Sequence, residues 1–183
     1  MLAAVVERAQ HGDEYAFATL TRIVGDECMA VAFRILRDSD LAADAVQLAL
    51  VTAWRELPRL RDPERFEPWL HRTLMNICYR EAKRRRMRAA PNPAAIEHAQ
   101  DPTNDILSVH DRDQLDRGFR RLPPEQRAVL VYHYYLGLSL SEVADRLEIP
   151  RATVRSRLRY ATATLRGALE ADARIPSPEE RPA

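Results

Sequence analysis

The stretch SLSEVADRLEIPRATVRSRLRYATATLR, Ser139 to Arg166, decides the fold. Ser139 and Glu142 stand three residues apart, the spacing of a capping box, so a helix can begin there. Val143, Ala144 and Leu147 give that helix an apolar stripe. It stops before Pro150, because the residue preceding a proline is pushed out of helical conformation. A second helix follows with Val154, Leu158, Ala161 and Leu165 on one face, while Arg151, Arg155 and Arg159 recur every four residues on a neighbouring face. From Ile149 to Leu169 there are five arginines and no Asp or Glu. Guanidinium forks at that spacing can pair with phosphates or guanine edges. The pattern is that of a helix-turn-helix whose second helix reads a duplex. A plain antiparallel helix pair with solvated arginines would share the apolar pattern, but the one-sign charge of the second helix argues against it.

The 183 residues carry a net charge of only +1, yet the charge is segregated. Arg80 to Arg88, REAKRRRMR, holds six basic residues against one Glu; Ala89 to Asp111 holds no Lys or Arg but contains Glu97, Asp101, Asp105 and Asp111. Two cationic patches separated by an acidic connector suggest two contacts with a polyanion. Cys28 and Cys78 lie in apolar helical contexts with no CxxC or Cys/His ligand spacing, which favours buried thiols in a reducing compartment over a zinc site. The N-terminal MLAAVVERAQHGDEYAF is charged too early for a signal peptide, and no segment approaches membrane-spanning length. A soluble cytoplasmic protein without membrane insertion is expected.

Nearly the whole chain reads as helix; strict apolar/polar alternation and hairpin dipeptides are absent. A first helix should close at Gly12. Asp13 can cap a second, with Tyr15, Phe17, Leu20 and Ile23 inward, and Asp26 after Gly25 a third, burying Met29, Ala32, Phe33 and Leu36. A fourth should run from Leu41 to about Leu57. Asp62-Pro63 then starts a longer helix that carries Trp69, Leu70, Leu74, Ile77 and Cys78 into the basic run. The expected fold is all-α: two small helical domains joined by a linker. The first spans 1–88, the proline-rich linker 89–104, and a helix-turn-helix domain 105–170, followed by a disordered tail at 171–183.

Three clusters in the first half invite function. Within DAVQLALVTAWREL, Ala45, Leu48, Thr52 and Trp54 (with Val51 in part) fit packing, whereas Asp44, Gln47 and Arg55 leave a polar edge able to dock a partner or simply meet water. Within RFEPWLHRTLMN, Phe66 and Trp69 fit core or a platform for unstacked bases. Asn76 has an amide able both to donate to and to accept from a base edge. The run Lys83 to Arg88 could line a phosphate backbone, or only complement the helix dipole.

The order DxVQ–W, PWL–N, an arginine run, a linker, LPPEQRxVL and GLSLSEVA…IPRATVRSRL resembles bacterial RNA polymerase sigma factors of the extracytoplasmic-function (ECF) type, across about residues 10–168. The resemblance implies binding to core RNA polymerase through Asp44, Gln47, Val51 and Arg55. It implies capture of the non-template strand of a −10 element, with Asn76 on a base, Phe66 and Trp69 supporting the site, and Arg80, Lys83 and Arg84 on the backbone. It implies −35 binding in which Arg155, Ser156 and Arg159 meet bases, Arg151 and Arg157 meet phosphates, and Thr153 also contacts the DNA. Core RNA polymerase and promoter DNA are the implied partners, an anti-sigma factor is a further candidate, and no cofactor or metal is implied. Three positions depart from the family: Leu48 replaces a glutamate after DxVQ, Arg80 replaces an acidic residue, and Glu148 occupies the turn where glycine is common. The alternative is a stand-alone helix-turn-helix regulator with a sensing or dimerising N-terminal bundle. An enzyme is not expected: His11, His71, His98, His110 and His133 are scattered, with no acid/base pair, phosphate loop or metal motif.

Overall fold

The computed structural model describes residues 2–88 and 109–173, with side-chain surroundings for 2–88 and 114–170. The expected linker, 89–104, lies outside the described residues, as does most of the expected tail; the last helix continues to Ala173. All regular elements among the described residues are helical. The first half contains α1 (Leu2–Gln10), α2 (Glu14–Leu36), α3 (Ser39–Glu56) and α4 (Phe66–Arg88). The second contains α5 (Val109–Arg121), α6 (Pro124–Leu130), α7 (Leu140–Leu147) and α8 (Arg151–Ala173).

Helix starts follow local chemistry. Asp13 accepts from the Ala16 amide, Asp38 from Leu41, and Asp62 from Glu64, each satisfying an orphan donor at a helix N-terminus. Ser139 and Glu142 form the full reciprocal capping box at α7. The expected break at Gly25-Asp26 does not occur, and α2 runs through it. Leu20, Val24, Cys28, Val31, Ala32 and Ile35 form one continuous buried stripe across that point. Burial of such a stripe outweighs the roughly 1 kcal/mol that a mid-helix glycine costs. The unbroken phase also corrects the expected core. Tyr15, Ile23 and Met29 face outward, at 86%, 53% and 38% exposure, while Leu20, Ala32 and Leu36 are buried as read.

Helices α1 to α4 enclose the first core, in which α4 contributes Leu70, Leu74, Met75, Ile77 and Cys78. In the second half, α8 packs on α5, α6 and α7. Its fully buried positions are Val154, Ala161 and Ala168, a narrow seam of seven-residue steps. Gly118 of α5 permits close approach there, since a Cβ at that position would lie 2.9 Å from the Leu165 side chain. After α6 the chain widens into a π-type turn, Val131–Tyr135, which aims Tyr132 inward and leaves Tyr134 and Tyr135 exposed.

The two halves touch. Ala128, Val129, Val131, Tyr132, Val143 and Val154 belong to the same buried cluster as the first-half core. At its centre, the Tyr132 hydroxyl lies 2.8 Å from His71 Nδ1, and His71 Nε2 lies 3.0 Å from the Glu27 carboxylate. With a neutral ring, one assignment satisfies both: Nε2–H donates to Glu27 and Tyr132 donates to Nδ1. Arg127 of α6 donates to the Ile35 carbonyl of α2; burial, aided by the nearby Arg37 charge, lowers the Arg127 pKa to about 10.

Candidate nucleic-acid and partner interfaces

Three exposed faces contain the residues singled out in the sequence. The first is on α4. Its inward side is fixed by the core, so the phase of the helix sets what it shows to solvent. At about 100° per residue, Trp69, Arg72, Asn76, Arg80 and Lys83 fall within an arc of roughly 80°, and Arg84 flanks it. Asn76, Arg80, Lys83 and Arg84 are all exposed. Arg80 is steered along the helix by a 3.3 Å bond from Nε to the Asn76 carbonyl, while Arg84 is paired with Glu81 at 2.7 Å. Phe66 is buried and stands 6.2 Å, centroid to centroid, from the half-buried Trp69. Phe66 therefore backs the tryptophan, and only Trp69 is available to a base.

The second face is on α8. Arg151, Arg155 and Arg159 are exposed along it, and Arg159 lies over the Tyr160 ring at 5.1 Å. Thr153, Ser156 and Arg157 are partly buried. Ser156 already donates to the Thr153 carbonyl at 3.0 Å. Arg157 faces the first domain, close enough to Tyr79 that its charge opposes the upward push that burial gives the phenol. The expected base and phosphate contacts thus divide into an exposed arginine row and a partly covered flank.

The third face is on α3, where Asp44, Gln47, Val51 and Arg55 are all exposed on one side. Leu48 and Trp54, which composition suggested as packing residues, are also exposed, at 48% and 37%. The reason is again phase: Ala42, Ala45, Val46, Ala49 and Ala53 occupy the inward positions, and small residues let α2 and α4 approach closely. Beside this face, Phe17, Val46, Leu50, Val51 and Trp54 line an open apolar groove of about 610 Å³, with Gln47 and Glu14 at its polar margin. The Phe17 and Trp54 rings meet in a tilted contact, centroids 4.8 Å apart. Phe17 and Trp54 were not among the expected contacts; both were expected to pack inward.

Other chemistry is muted. Burial raises both thiols, Cys28 and Cys78, to about 12, which keeps them protonated and poorly nucleophilic. Among the described residues, no group of three or more His, Cys, Asp or Glu side chains is arranged to hold a metal, and no helix is long and apolar enough to cross a membrane.

Comparison with known proteins finds matches to both halves of the chain. The pattern of Sigma-70 region 2 matches residues 20–88, and that of Sigma-70 region 4 matches residues 118–167. The ECF RNA polymerase sigma factor SigM of Mycobacterium tuberculosis is 34% identical over 161 residues, covering 84% of this chain and 77% of SigM. The probable RNA polymerase sigma factor RfaY of Xanthomonas campestris pv. campestris is 29% identical over 176 residues; the match takes in 92% of this chain but 44% of that longer protein. Among solved structures, CnrH, determined in complex with the cytosolic domain of CnrY, superimposes with a TM-score of 0.68 at 25% identity, covering 93% of this chain and 98% of CnrH.

Proposed function

The chain belongs to the ECF group of RNA polymerase sigma factors, and from that premise we propose how its three faces divide the work of promoter recognition. The α3 face, with Asp44, Gln47, Val51 and Arg55 beside the apolar groove, docks core RNA polymerase. The α4 stripe holds the opened strand of a −10 element: Asn76 meets a base, Trp69 stacks, and Arg80, Lys83 and Arg84 meet phosphates. The α8 row reads a −35 element, with Arg155 and Arg159 on base edges and Arg151 on phosphate; Thr153, Ser156 and Arg157 join once the flank facing α4 is uncovered.

The observation that carries this reading is the distribution of exposed side chains. Two cationic faces of different character stand on separate modules, and a face that sets an apolar groove beside Asp44, Gln47 and Arg55 stands on α3. Tethering makes the second DNA contact effectively intramolecular, so two modest modules give useful affinity. Strand opening costs stacking and pairing, which contacts to the captured bases offset. The chain itself makes or breaks no covalent bond in this mechanism. It acts where core polymerase acts, in the bacterial cytoplasm. An anti-sigma protein covering these faces is a further candidate partner; CnrH was solved with a protein partner, the cytosolic domain of CnrY. A stand-alone regulator is disfavoured, because the family match extends over both modules.

The test is reconstitution. The full chain with purified core enzyme should give defined start sites on genomic fragments. Arg155→Ala should cut output at those sites about ten-fold or more, the loss of one bidentate base contact, while core binding in a pull-down is unchanged. Equal loss of core binding and output would overturn the role given to α8.

A further inference from the structure

Two residues other than glycine adopt positive φ among the described residues, and both are C-caps. Arg37 (φ 58) ends α2 and Glu148 (φ 49) ends α7. Left-handed backbone at a C-cap suits glycine; an ordinary side chain there costs on the order of 1 kcal/mol. Both side chains cross between the two halves. Arg37 pairs with Asp116 of α5, and Glu148 pairs with Arg72 of α4 at 2.7 Å. Arg146, in the last turn of α7, lies 3.8 Å from both Glu27 and Glu67. The shared core supplies the adhesion, and these charged caps fix the register in which the halves meet.

The partner of Glu148 matters most. Arg72 lies four residues before Asn76 on the exposed stripe of α4, inside the same arc as Trp69, Asn76, Arg80 and Lys83. It is half exposed, yet its guanidinium is occupied by a carboxylate from the other DNA-reading module. The closed arrangement is also too short for a promoter. Elements at −35 and −10 are centred about 25 base pairs apart, roughly 85 Å of duplex, whereas a folded chain of this length is about 40 Å across. Reading both elements at once requires the halves to part, and parting removes Glu148 from Arg72.

We propose that Arg72 is a further single-strand-contacting residue of the α4 face, and that Glu148 masks it while the two modules are closed. The proposal rests on the assignment of α4 to the opened strand. Opening does two things at once: it separates the modules to promoter spacing and adds a cation to the strand-binding stripe. Closed, the free protein is a weaker ligand for single-stranded DNA than its sequence implies.

A double-mutant cycle on the full chain tests this, with a labelled single-stranded DNA of mixed sequence and about 20 nucleotides as probe. Glu148→Gln keeps the side-chain size and removes the charge. It should bind the probe about three-fold more tightly, with a slope of log K against log[salt] steeper by about 0.7, the signature of one added phosphate contact. Arg72→Ala alone should change little, because Arg72 is already engaged, and Arg72→Ala with Glu148→Gln should lose the gain. Asp145→Asn, an equal charge change on the same helix without Arg72 as partner, should not reproduce it. If Glu148→Gln folds poorly, Glu148→Gly suits the left-handed cap and should give the same gain. A gain that survives Arg72→Ala, or no gain in either Glu148 variant, overturns the proposal. Arg80→Ala separates the two readings: if it weakens probe binding while the Glu148 variants do nothing, only the masking idea fails. If Arg80→Ala is also without effect, the strand assignment of α4 fails with it.

Discussion

Helices α4 and α8 are each 23 residues long and each carries arginine at four-residue steps, but they are held in different ways. Leu70, His71, Leu74, Met75, Ile77 and Cys78 of α4 are buried, so the helix is embedded and shows solvent one stripe along its middle. Among the described side chains of α8, only Val154, Ala161 and Ala168 are buried, and much of the helix circumference stays free. The exposed side chains differ in step. The α4 stripe mixes an indole, an amide and cations; the α8 row is arginine alone until Tyr160. A major groove encloses the helix that enters it, so a duplex reader must stand out from its domain. An opened strand instead has to be held flat against a fixed surface, where stacking and an amide matter as much as charge.

The largest effect that tests this contrast is on stability. Leu74→Ala, in the embedded helix, should cost about 2–5 kcal/mol in urea unfolding, because the cavity forms where nothing can collapse into it. Leu158→Ala, at a partly buried position on α8, should cost clearly less. Equal losses would mean that α8 is as deeply anchored as α4 and that the contrast in mounting is false.

The next effect is on binding. Trp69→Ala should weaken single-stranded DNA binding by about 1–3 kcal/mol, the worth of a stacked base, and leave duplex −35 binding unchanged. Phe66 behind it is buried and serves the platform by position, so Phe66→Leu should perturb the same assay through Trp69 and by less. If Trp69→Ala affected duplex and single strand alike, the two helices would not have separate substrates.

Much of this architecture is legible in the sequence. The capping box at Ser139, the Asp13 and Asp62 caps, the proline stop at Pro150 and the arginine row of α8 are local signals, and each is where the sequence placed it. Gly25 does not end α2, because its local penalty of about 1 kcal/mol is overridden by the buried stripe that runs through it. Leu48 and Trp54 face outward despite their apolar side chains, because alanines fill the inward phase of α3. The meeting of the halves left no local mark. His71 and Tyr132 are 61 residues apart and Arg72 and Glu148 are 76 apart, and a charged side chain gives no sign of its partner. Glu148 did carry a signal in standing where glycine is usual. The structure gives that substitution a partner: the residue keeps the left-handed cap and uses its side chain to reach α4.

The smallest predicted effect lies where the embedded helix meets the other module. Glu27 accepts from His71, and that hydrogen bond is the main reason its carboxyl sits below the ordinary value of 4.5; burial opposes the shift, and the nearby Arg146 charge assists it. A carboxyl lowered on folding stabilises the folded state above its unfolded pKa, and the contribution fades as pH falls through the folded value. Glu27 is about half exposed, so solvent screening keeps the contribution to less than about 1 kcal/mol. Glu27→Gln should therefore be slightly less stable than the parent near neutral pH, and the two urea midpoints should converge as pH falls below 4.5 and the parent carboxyl is protonated. A gap that stays constant with pH would show that Glu27 acts through shape and neutral hydrogen bonding, leaving His71 and Tyr132 to join α4 to the second module without help from its charge.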